Sequence, residues 1–298
     1  MKELNLQEIL SNTTDLKEKK VGYVAIIGRP NTGKSTFINA LIGRKVSITT
    51  NVPQTTRKRI LAIYNDSDSQ IIFFDTPGIH NSPKVFNMEI NNQAINSISE
   101  ASVILYFIDT TREGGEEENY IKSLLQNIKI PVIKVYTKID LKAKINIPTN
   151  ENTFKISSIN KIGFTELIKK IKIYLKKGIM LFGDDYYTSQ DMFFRSSEII
   201  REKVFLHTSE EIPHSIYVSV EEIEDKEDIL NIIAYIYTET DSQRFIIIGK
   251  AGSLITTIGK EARLDLEKVF EKKVFLSLRV KTKDKWKNDE RFVKKMFS

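Results

Sequence analysis

The stretch that decides the fold spans residues 28–35 and reads Gly28-Arg29-Pro30-Asn31-Thr32-Gly33-Lys34-Ser35. It is a complete G-x-x-x-x-G-K-S pattern, which cradles phosphate groups in proteins. The apolar run 21–27 before it predicts a buried parallel strand, and residues 36–42 after it predict a helix that ends at Gly43. The glycines let backbone N–H groups close on a phosphate chain. Lys34 adds positive charge, and Ser35 offers a hydroxyl to Mg²⁺.

Three further motifs each follow a predicted strand: Asp75-Thr76-Pro77-Gly78 after 70–74, Thr137-Lys138-Ile139-Asp140 after 131–136, and Ser157-Ser158 after 153–156. Asp75 can reach Mg²⁺ directly or through water, and Gly78 can bring a backbone N–H close to a γ-phosphate. Asp140 can accept two N–H bonds from guanine, a donor pair that adenine lacks. Another predicted strand, 103–109, carries no obvious site residue beyond its end. Since ligands of open α/β sheets bind at the carboxyl ends of strands, these motifs predict one nucleotide site.

The set of motifs resembles that of the translation-factor-like GTPases over about residues 20–175. The resemblance implies that GTP or GDP binds through these motifs, that is, through Gly28, Arg29, Pro30, Asn31, Thr32, Gly33, Lys34, Ser35, Thr36, Asp75, Thr76, Pro77, Gly78, Thr137, Lys138, Asp140, Ser157 and Ser158. Thr137 stands where that family has Asn, so weaker contacts to the base and the phosphate loop are expected. Ser158 replaces the usual Ala, which leaves the backbone N–H for the guanine carbonyl in place.

The hydrolytic machinery departs from that of Ras-like enzymes. Ile79 occupies the position directly after D-x-x-G where those enzymes place a water-orienting Gln, so slow intrinsic hydrolysis is expected. In bacterial GTPases with G-x-P-N-x-G-K-S, a resemblance implies that the Asn holds K⁺, which neutralises charge between the phosphates. Asn31 is therefore a candidate K⁺ ligand. The alternative is that Asn31 only shapes the loop.

A switch segment needs a threonine hydroxyl for Mg²⁺ and the γ-phosphate. Thr56, within Pro53-Gln54-Thr55-Thr56-Arg57, is the favoured candidate, and the alternative is a polar connector with a basic end. We therefore expect Ser35, Thr56 and Asp75 to bind Mg²⁺ and Asn31 to bind K⁺. The predicted catalytic residues are Asn31, Lys34, Thr56 and Gly78.

Composition limits the class of protein. The chain of 298 residues has no Cys, which excludes disulfides and thiolate metal sites, and its formal charge is +6. No N-terminal segment resembles a signal peptide, and no apolar run approaches the roughly 18 residues of a membrane helix. We therefore expect a soluble cytoplasmic protein.

The C-terminal third has an uneven charge. Residues 191–242 hold 4 basic and 13 acidic side chains, whereas residues 243–298 hold 15 basic and 7 acidic ones. Periodicity predicts helices at 164–175, 192–206 and 253–270, and strands at 215–220, 229–238 and 273–281. Gly249-Lys250-Ala251-Gly252 lies between two helical segments. A G-x-x-G in this position marks a KH domain, whose loop approaches the backbone of about four unpaired nucleotides. The strand-before-helix order resembles the type II KH arrangement.

A GTPase domain with G-x-P-N-x-G-K-S and P-Q-T-T-R, joined to a C-terminal type II KH domain, resembles the Era family of bacterial ribosome-assembly GTPases from about Val21 to Phe297. The resemblance implies binding to the 3′ end of 16S rRNA in the small ribosomal subunit. The candidate RNA contacts are Arg244, Gly249, Lys250, Ala251, Gly252 and Lys260. The basic tail 281–295 is either a lesser RNA contact or a solvated helix. We expect a monomer. Association with the periphery of the inner membrane is attributed to the family, although nothing in the sequence encodes it.

The expected architecture is α/β: a tail (1–19), a P-loop GTPase domain with a mostly parallel sheet and flanking helices (20–178), a linker (179–190) and an α+β KH domain (191–298). Two alternatives remain. One is a GTPase of tRNA modification or another ribosome step, whose second domain binds protein. The other is an RNA-binding module whose nucleotide site is mainly structural, a possibility that Ile79 supports.

Overall fold

The computed structural model describes residues 18–50, 52, 55–79, 85–289 and 291–293. Residues 1–17 of the predicted N-terminal tail, Pro53 and Gln54 of the predicted switch segment, and the end of the basic tail lie outside the described residues, whereas Lys19, predicted as the last residue of the N-terminal tail, begins the first strand. The described chain forms two sheets, each with its own buried core.

The first sheet is mostly parallel, as predicted, with the order β2-β3-β1-β4-β5-β6, and a short β7 pairs with β1. Its strands are β1 (Lys19–Gly28), β2 (Ile60–Asn65), β3 (Ser69–Asp75), β4 (Val103–Asp109), β5 (Val132–Thr137), β6 (Thr153–Lys155) and β7 (Lys176–Gly178). Its helices are α1 (Lys34–Ile42), α2 (Val85–Glu100), α3 (Glu116–Gln126) and α4 (Phe164–Ile173).

The central strands are apolar on both faces because both faces are covered. Along β1, Val24 and Ile26 pack into the core that includes Phe37 of α1. Ala25 and Ile27 pack into the opposite core, which includes Ala94 of α2. Continuous apolar runs are typical of parallel strands buried in this way, and this pattern made β1, β3, β4 and β5 recognisable in the sequence.

Several elements of the first sheet were not predicted. β2 runs antiparallel to β3, and β7 runs antiparallel to β1 at residues 176–178, where the sequence indicated only a break at Gly178. The segment 179–190, predicted as a linker, lies along the edge strand β2. There Tyr187 O accepts the N–H of Ile63 at 3.0 Å, and the Thr188 hydroxyl donates to Leu61 O at 2.9 Å.

The second sheet has the order β10-β9-β8, with β9 parallel to β10 and antiparallel to β8. Alternate residues of β9, from Leu230 to Ile236, are fully buried under the helices, which is the period expected of a sheet with one covered face. The elements are α5 (Met192–His207), α6 (Ile212–Ser215), β8 (Tyr217–Asp225), β9 (Ile229–Thr238), α7 (Asp241–Ile248), α8 (Ser253–Phe270) and β10 (Lys273–Thr282).

The start of β8 differs from the prediction of a strand at 215–220. Residues 212–215 form the short helix α6, and β8 begins at Tyr217 and continues to Asp225 past a bulge at Val220. Pro213 in the first turn of α6 supplies a backbone angle suited to helix initiation. Within the described part of the chain, no helix has both the length and the apolar character needed to cross a bilayer.

Asp66 closes the turn between β2 and β3. Its carboxylate accepts the Ser69 N–H at 2.9 Å and the Ser69 hydroxyl at 2.8 Å, and it forms an ion pair with Lys172 of α4 at 2.6 Å. Burial acts to raise the pKa of Asp66, but the hydrogen bonds from Lys172 and Ser69 outweigh it and lower the pKa to about 2.

Asp66→Asn should lower the free energy of unfolding at pH 7 by about 1 kcal/mol, since the partly exposed ion pair is lost. The depressed folded-state pKa stabilises the wild type above about pH 4, and this advantage disappears as the pH falls through about 2. Urea unfolding of both proteins at pH 7 and pH 2.5 measures the difference. A difference of the same size at both pH values would contradict the assignment.

Candidate functional site

The phosphate loop lies between the end of β1 at Gly28 and the start of α1 at Lys34. Asn31 and Gly33 both have positive φ, 62° and 91°, so the chain turns sharply enough to aim successive N–H groups inward. The loop forms the floor of an open cleft of about 640 Å³, which is lined by Pro30, Asn31, Gly33, Lys34, Ser35, Thr36, Ile48, Thr49, Thr50, Thr55, Thr56, Gly78 and Lys138.

Lys34 folds back over the loop that precedes it. Its ammonium donates to Gly28 O at 3.3 Å and to Arg29 O at 3.0 Å, and the residue is 6% exposed. Burial lowers the pKa of Lys34 to about 8, and the nearby Asp75 carboxylate partly opposes this effect. A lysine held in this way presents its charge at the centre of the cleft floor.

Ser35, Thr56 and Asp75, the three predicted Mg²⁺ ligands, come together. The hydroxyls of Ser35 and Thr56 lie 3.1 Å apart. Both carboxylate oxygens of Asp75 are buried, and the nearby Ser35 and Ser47 hydroxyls do not form well-aligned hydrogen bonds with them in the described structure. Burial raises the pKa of Asp75, and the Ser47 and Ser35 hydroxyls and Lys34 only partly counter it. A buried carboxylate in need of positive charge, beside two hydroxyls, fits a hard cation with oxygen ligands such as Mg²⁺.

Gly78 packs directly on the phosphate loop. A Cβ atom at Gly78 would lie 2.7 Å from Pro30 N and 2.8 Å from Pro30 Cα, so no side chain fits there. The sequence predicted that Gly78 brings a backbone N–H close to a γ-phosphate; the contact with Pro30 puts its backbone on the phosphate loop, and the approach to a γ-phosphate stays a prediction. Ile79 next to it is 1% exposed and packs in the core with Ile27 and Phe74. The position of the Ras-like glutamine therefore faces away from the cleft.

Two predicted nucleotide-binding residues turn their side chains away from the cleft. Arg29 forms a buried ion pair with Glu118 of α3 at 2.9 Å, and the hydroxyl of Tyr106 donates to the same carboxylate. The Thr76 hydroxyl donates to Ile26 O at 2.6 Å within the sheet. Arg29 and Thr76 can therefore reach a nucleotide only through their backbone groups.

The predicted guanine-reading loop is tied to the phosphate loop. The Thr137 hydroxyl donates to Thr32 O at 2.8 Å, so Thr supplies the link to the phosphate loop that was expected to weaken without Asn. Lys138 lines the cleft, and Asp140 is exposed beyond it. The Ser157 N–H donates to Ile162 O at 3.2 Å, which leaves the backbone of Ser158 as the candidate for the guanine carbonyl.

A longer segment around the predicted switch threonine, residues 45–50 and 55–59, contacts the second domain, and the name switch segment covers these residues from this point. The guanidinium of Arg57, 8% exposed, donates to Ile216 O at 2.7 Å and to Pro213 O at 3.1 Å. Burial, followed by the nearby Arg201, lowers the pKa of Arg57 to about 9. In return, Arg201 of α5 donates to Thr55 O at 2.6 Å. Thr56 thus lies between two residues that are bound to the second domain.

The other end of the switch segment is held in the same way. Lys45 forms ion pairs with Glu202 of α5 and, at 3.1 Å, with Asp265 of α8. Glu202 also accepts the backbone N–H of Thr49 at 3.1 Å. The sequence gave no signal for these contacts, because the partners are more than 140 positions apart and follow no motif.

In the second domain, the G-K-A-G loop joins α7 to α8. Gly249, Ala251 and Gly252 have φ of 74°, 51° and 79°. A Cβ at Gly249 would lie 2.7 Å from Leu254 Cβ, so the loop is tightly packed there. Lys250 is exposed. The N–H groups of Gly249 and Gly252 are bonded within the chain, to Phe245 O at 2.9 Å and to Gly249 O at 3.2 Å, so the loop presents the exposed residues Lys250 and Ala251 to solvent.

A groove of about 680 Å³ lies between α8 and β10, beyond this loop. Its lining combines three apolar side chains, two basic ones, a threonine and a glycine: Ile255, Leu276, Leu278, Lys260, Arg263, Thr256 and Gly259. Of the predicted RNA contacts, Lys260 lines the groove, whereas Arg244 lies on α7 with its guanidinium 5.1 Å from the ring of Phe245. Sequence reasoning expected the strand and helix beside the loop to read bases but named none of the groove's apolar residues, since alternation in β10 only indicated a strand.

Comparison with known proteins supports both halves. A family described as "50S ribosome-binding GTPase" matches residues 23–138, and one described as "KH domain" matches residues 211–287. The predicted fold class, a P-loop GTPase domain followed by a KH domain, is therefore confirmed.

The similarity to relatives covers almost the whole chain. GTPase Era of Borrelia garinii subsp. bavariensis is 42% identical over 289 residues, which cover 94% of this chain and 100% of that protein. GTPase Era of Treponema denticola is 39% identical over 290 residues, covering 92% and 98%.

Two crystal structures are similar in fold to this chain, each with 36% sequence identity and a TM-score of 0.87. One is Era in complex with MgGDPNP and nucleotides 1506–1542 of 16S ribosomal RNA, with 93% of this chain and 98% of that chain covered. The other is a variant of Aquifex aeolicus Era bound to GDP and AlF₄⁻, with 92% and 98% covered. The chain belongs to the Era family of GTPases.

Proposed function

We propose that this chain hydrolyses GTP and acts in assembly and maturation of the small ribosomal subunit, where its KH domain binds the 3′ end of 16S rRNA. One observation supports the proposal above all: the same chain contains two sites. The first is a phosphate-binding cleft whose residues fit Mg²⁺, and the second is a groove with basic side chains beside a G-x-x-G loop. The relative crystallised with MgGDPNP and 16S rRNA supports the same pairing of ligands. The domains proposed for these roles are residues 20–178 and 191–298. Because the proposed partner is ribosomal RNA, the proposal implies a cytoplasmic protein, and we further propose that it acts as a monomer.

The roles of the cleft residues follow from their positions. The loop 28–36 would surround the phosphates with N–H groups, and the buried ammonium of Lys34 would attract the β- and γ-phosphates. Ser35, Thr56 and Asp75 would hold Mg²⁺, which supplies positive charge to the phosphate oxygens when bound. Gly78, pressed against Pro30, would bring its backbone to the γ-phosphate. Asp75-Thr76-Pro77-Gly78 would thus contribute one carboxylate and a run of backbone groups.

The base would be read at the other end of the cleft by Thr137, Lys138, Asp140 and the backbone of Ser157-Ser158. Asp140 is solvated in the free protein, so its charge costs little until a base covers it. Guanine then satisfies the carboxylate with two N–H groups, whereas adenine leaves it without donors.

For hydrolysis we propose that Asn31, rather than a glutamine, supplies the missing element, as a K⁺ ligand. Two observations support this role: Asn31 lines the cleft in a left-handed conformation, and Ile79 is buried in the core. Asn31, Lys34, Thr56 and Gly78 would together stabilise charge that develops on the γ-phosphate.

RNA would bind along the groove between α8 and β10. The backbone of Gly249, Lys250, Ala251 and Gly252 would meet the phosphates, and Lys260 would extend the contact along the groove. Arg244, in the first half of α7, would reach the RNA beside the loop. The basic tail is proposed as a lesser contact.

Guanine selectivity provides the first test. The wild type should bind GDP and GTP far more tightly than ADP and ATP, and Asp140→Asn should shift the preference toward xanthine nucleotides, whose O2 accepts from the new amide. Titration with fluorescent nucleotides measures this preference, with Asp185→Asn, an exposed carboxylate outside the cleft, as the control. Equal affinity of the wild type for GDP and ADP would refute the guanine assignment.

The proposed K⁺ site is tested by the rate of GTP hydrolysis. Phosphate release should be slow in NaCl and faster in KCl, and Asn31→Ala should abolish the K⁺ effect while GDP affinity stays close to that of the wild type. The control is Asn92→Ala, an exposed Asn on α2. If Asn31→Ala retained the full K⁺ stimulation, Asn31 would only shape the loop. If the wild type released no phosphate under either salt, the nucleotide site would be structural.

The RNA test replaces Lys250 and Ala251 by Asp. Asp tolerates the left-handed φ of 51° at position 251, so the loop should keep its shape. Binding to an oligonucleotide with the 16S rRNA 3′-end sequence should weaken about tenfold or more, because charge-assisted contacts become repulsive. GTP hydrolysis without RNA should be unchanged. The charge-matched control is Lys122→Asp with Ser123→Asp, on the exposed surface of α3. An equal loss in both double variants would indicate a general electrostatic effect and remove the loop from the proposal.

A further inference from the structure

Asp109, the last residue of β4, is fully buried and accepts four hydrogen bonds. One carboxylate oxygen accepts the Thr111 N–H at 2.9 Å and the Thr111 hydroxyl at 2.7 Å. The other accepts Lys138 Nζ at 2.7 Å and Arg112 Nε at 3.1 Å. Burial acts to raise the pKa of Asp109, but the hydrogen bonds from Lys138 and Thr111 hold it below its usual value, so the group stays charged.

The first cation bound to Asp109 belongs to the guanine-reading loop. Lys138 has a φ of 59°, a left-handed conformation that a residue with a side chain adopts at a cost. Its ammonium ends on Asp109, and the same residue lines the cleft. The ion pair therefore supports the backbone turn that leads to Asp140.

The second cation reaches the phosphate loop. Arg112 donates from Nε to Asp109 and from Nη2 to Pro30 O at 2.8 Å. The Arg112 side chain is 42% exposed, so the core does not fix it, and these two contacts determine where its guanidinium lies. Pro30 is also the residue on which Gly78 packs.

We propose that Asp109 is a positioning residue that sets the guanine-reading loop and the phosphate loop at the spacing one nucleotide requires. Its side chain is fully buried and is not among the residues that line the cleft, so it would act through Lys138 and Arg112. Loss of its charge would release Lys138 and Arg112 together. The guanine-reading loop and the phosphate loop would then have to become ordered when the nucleotide binds, and this ordering would lower the affinity. This inference rests on the proposed function, because it assigns a role at the same site.

The main experiment compares Asp109→Asn with Asp66→Asn. Asp66 is a matched control because its carboxylate also accepts a backbone N–H, a hydroxyl and a lysine, but it lies in the β2–β3 turn. For each protein, the affinities for GDP and ADP, the steady-state kcat and KM for GTP, and the melting temperature without nucleotide are measured.

Asp109→Asn should weaken GDP binding and raise KM by about tenfold, with kcat within about twofold of the wild type. The GDP-over-ADP preference should fall. Asp66→Asn should lower the melting temperature and leave affinity unchanged. Unchanged GDP affinity in Asp109→Asn overturns the inference, and so does a fall in kcat as large as the rise in KM, since that would point to the chemical step.

A second variant keeps the test decisive if Asp109→Asn does not fold. Arg112→Met removes a half-exposed side chain and with it the contacts to both Asp109 and Pro30, while the Asp109–Lys138 ion pair remains, and it should weaken GDP binding about threefold. In the double variant with Asp109→Asn, the effects should be less than additive, because both changes act through one contact. Full additivity overturns the shared role, and so does an unchanged GDP affinity in Arg112→Met.

Nucleotide binding by the wild type distinguishes a failure of the proposed function from a failure of the positioning role of Asp109. If it shows no preference for GDP over ADP, the proposed guanine nucleotide function itself fails. If it shows the preference and both Asp109→Asn and Arg112→Met retain it with full affinity, only the positioning role of Asp109 fails.

Discussion

The parallel pairing of β1 with β3 on one side and β4 on the other is the constraint on which the nucleotide site depends. Parallel strands bring all their carboxyl ends to one edge, so Gly28, Asp75 and Asp109 end side by side although they are far apart in sequence. Helices cover both faces of this sheet and bury its apolar strands, which fixes the edge rigidly. The cleft is built from loops, but its geometry is set by the strand register beneath them.

This dependence explains why much of the site could be predicted. Lys34, Ser35 and Asp75 lie at motif positions next to strands whose apolar runs are unmistakable, so sequence order sufficed to bring them together. Gly78 was assigned for its freedom of approach, and the contact of a would-be Cβ with Pro30 gives that assignment its steric basis. The long helix 253–270 and the strand 229–238 were predicted with their observed limits, because each buries one clear apolar face.

The features that could not be predicted from the sequence depend on contacts between residues that lie far apart in the chain. Arg29 was placed in the nucleotide set by its motif, yet Glu118, which no pattern links to it, draws the side chain into a buried ion pair. β7 and the segment along β2 form where strand edges of the first sheet are available for pairing, and β7, which reads Lys176-Lys177-Gly178, has no apolar residue that would predict a strand. Asp109 looked like an ordinary strand end, since its importance lies in two cations contributed by other segments.

The contact between Arg57 and the second domain is one-sided in its chemistry. Arg57 supplies a side chain, whereas Pro213 and Ile216 supply backbone carbonyl groups, which persist whatever side chain occupies those positions. Divergence of residues 213–216 can therefore proceed without removing the acceptors, provided that the short helix keeps its path. Position 57 cannot change in this way. Even a substitution by Lys would remove the planar guanidinium that donates to both carbonyl groups. In the evolution of this chain, this one contact between the two domains therefore tolerates side-chain drift at residues 213–216 but requires Arg at position 57.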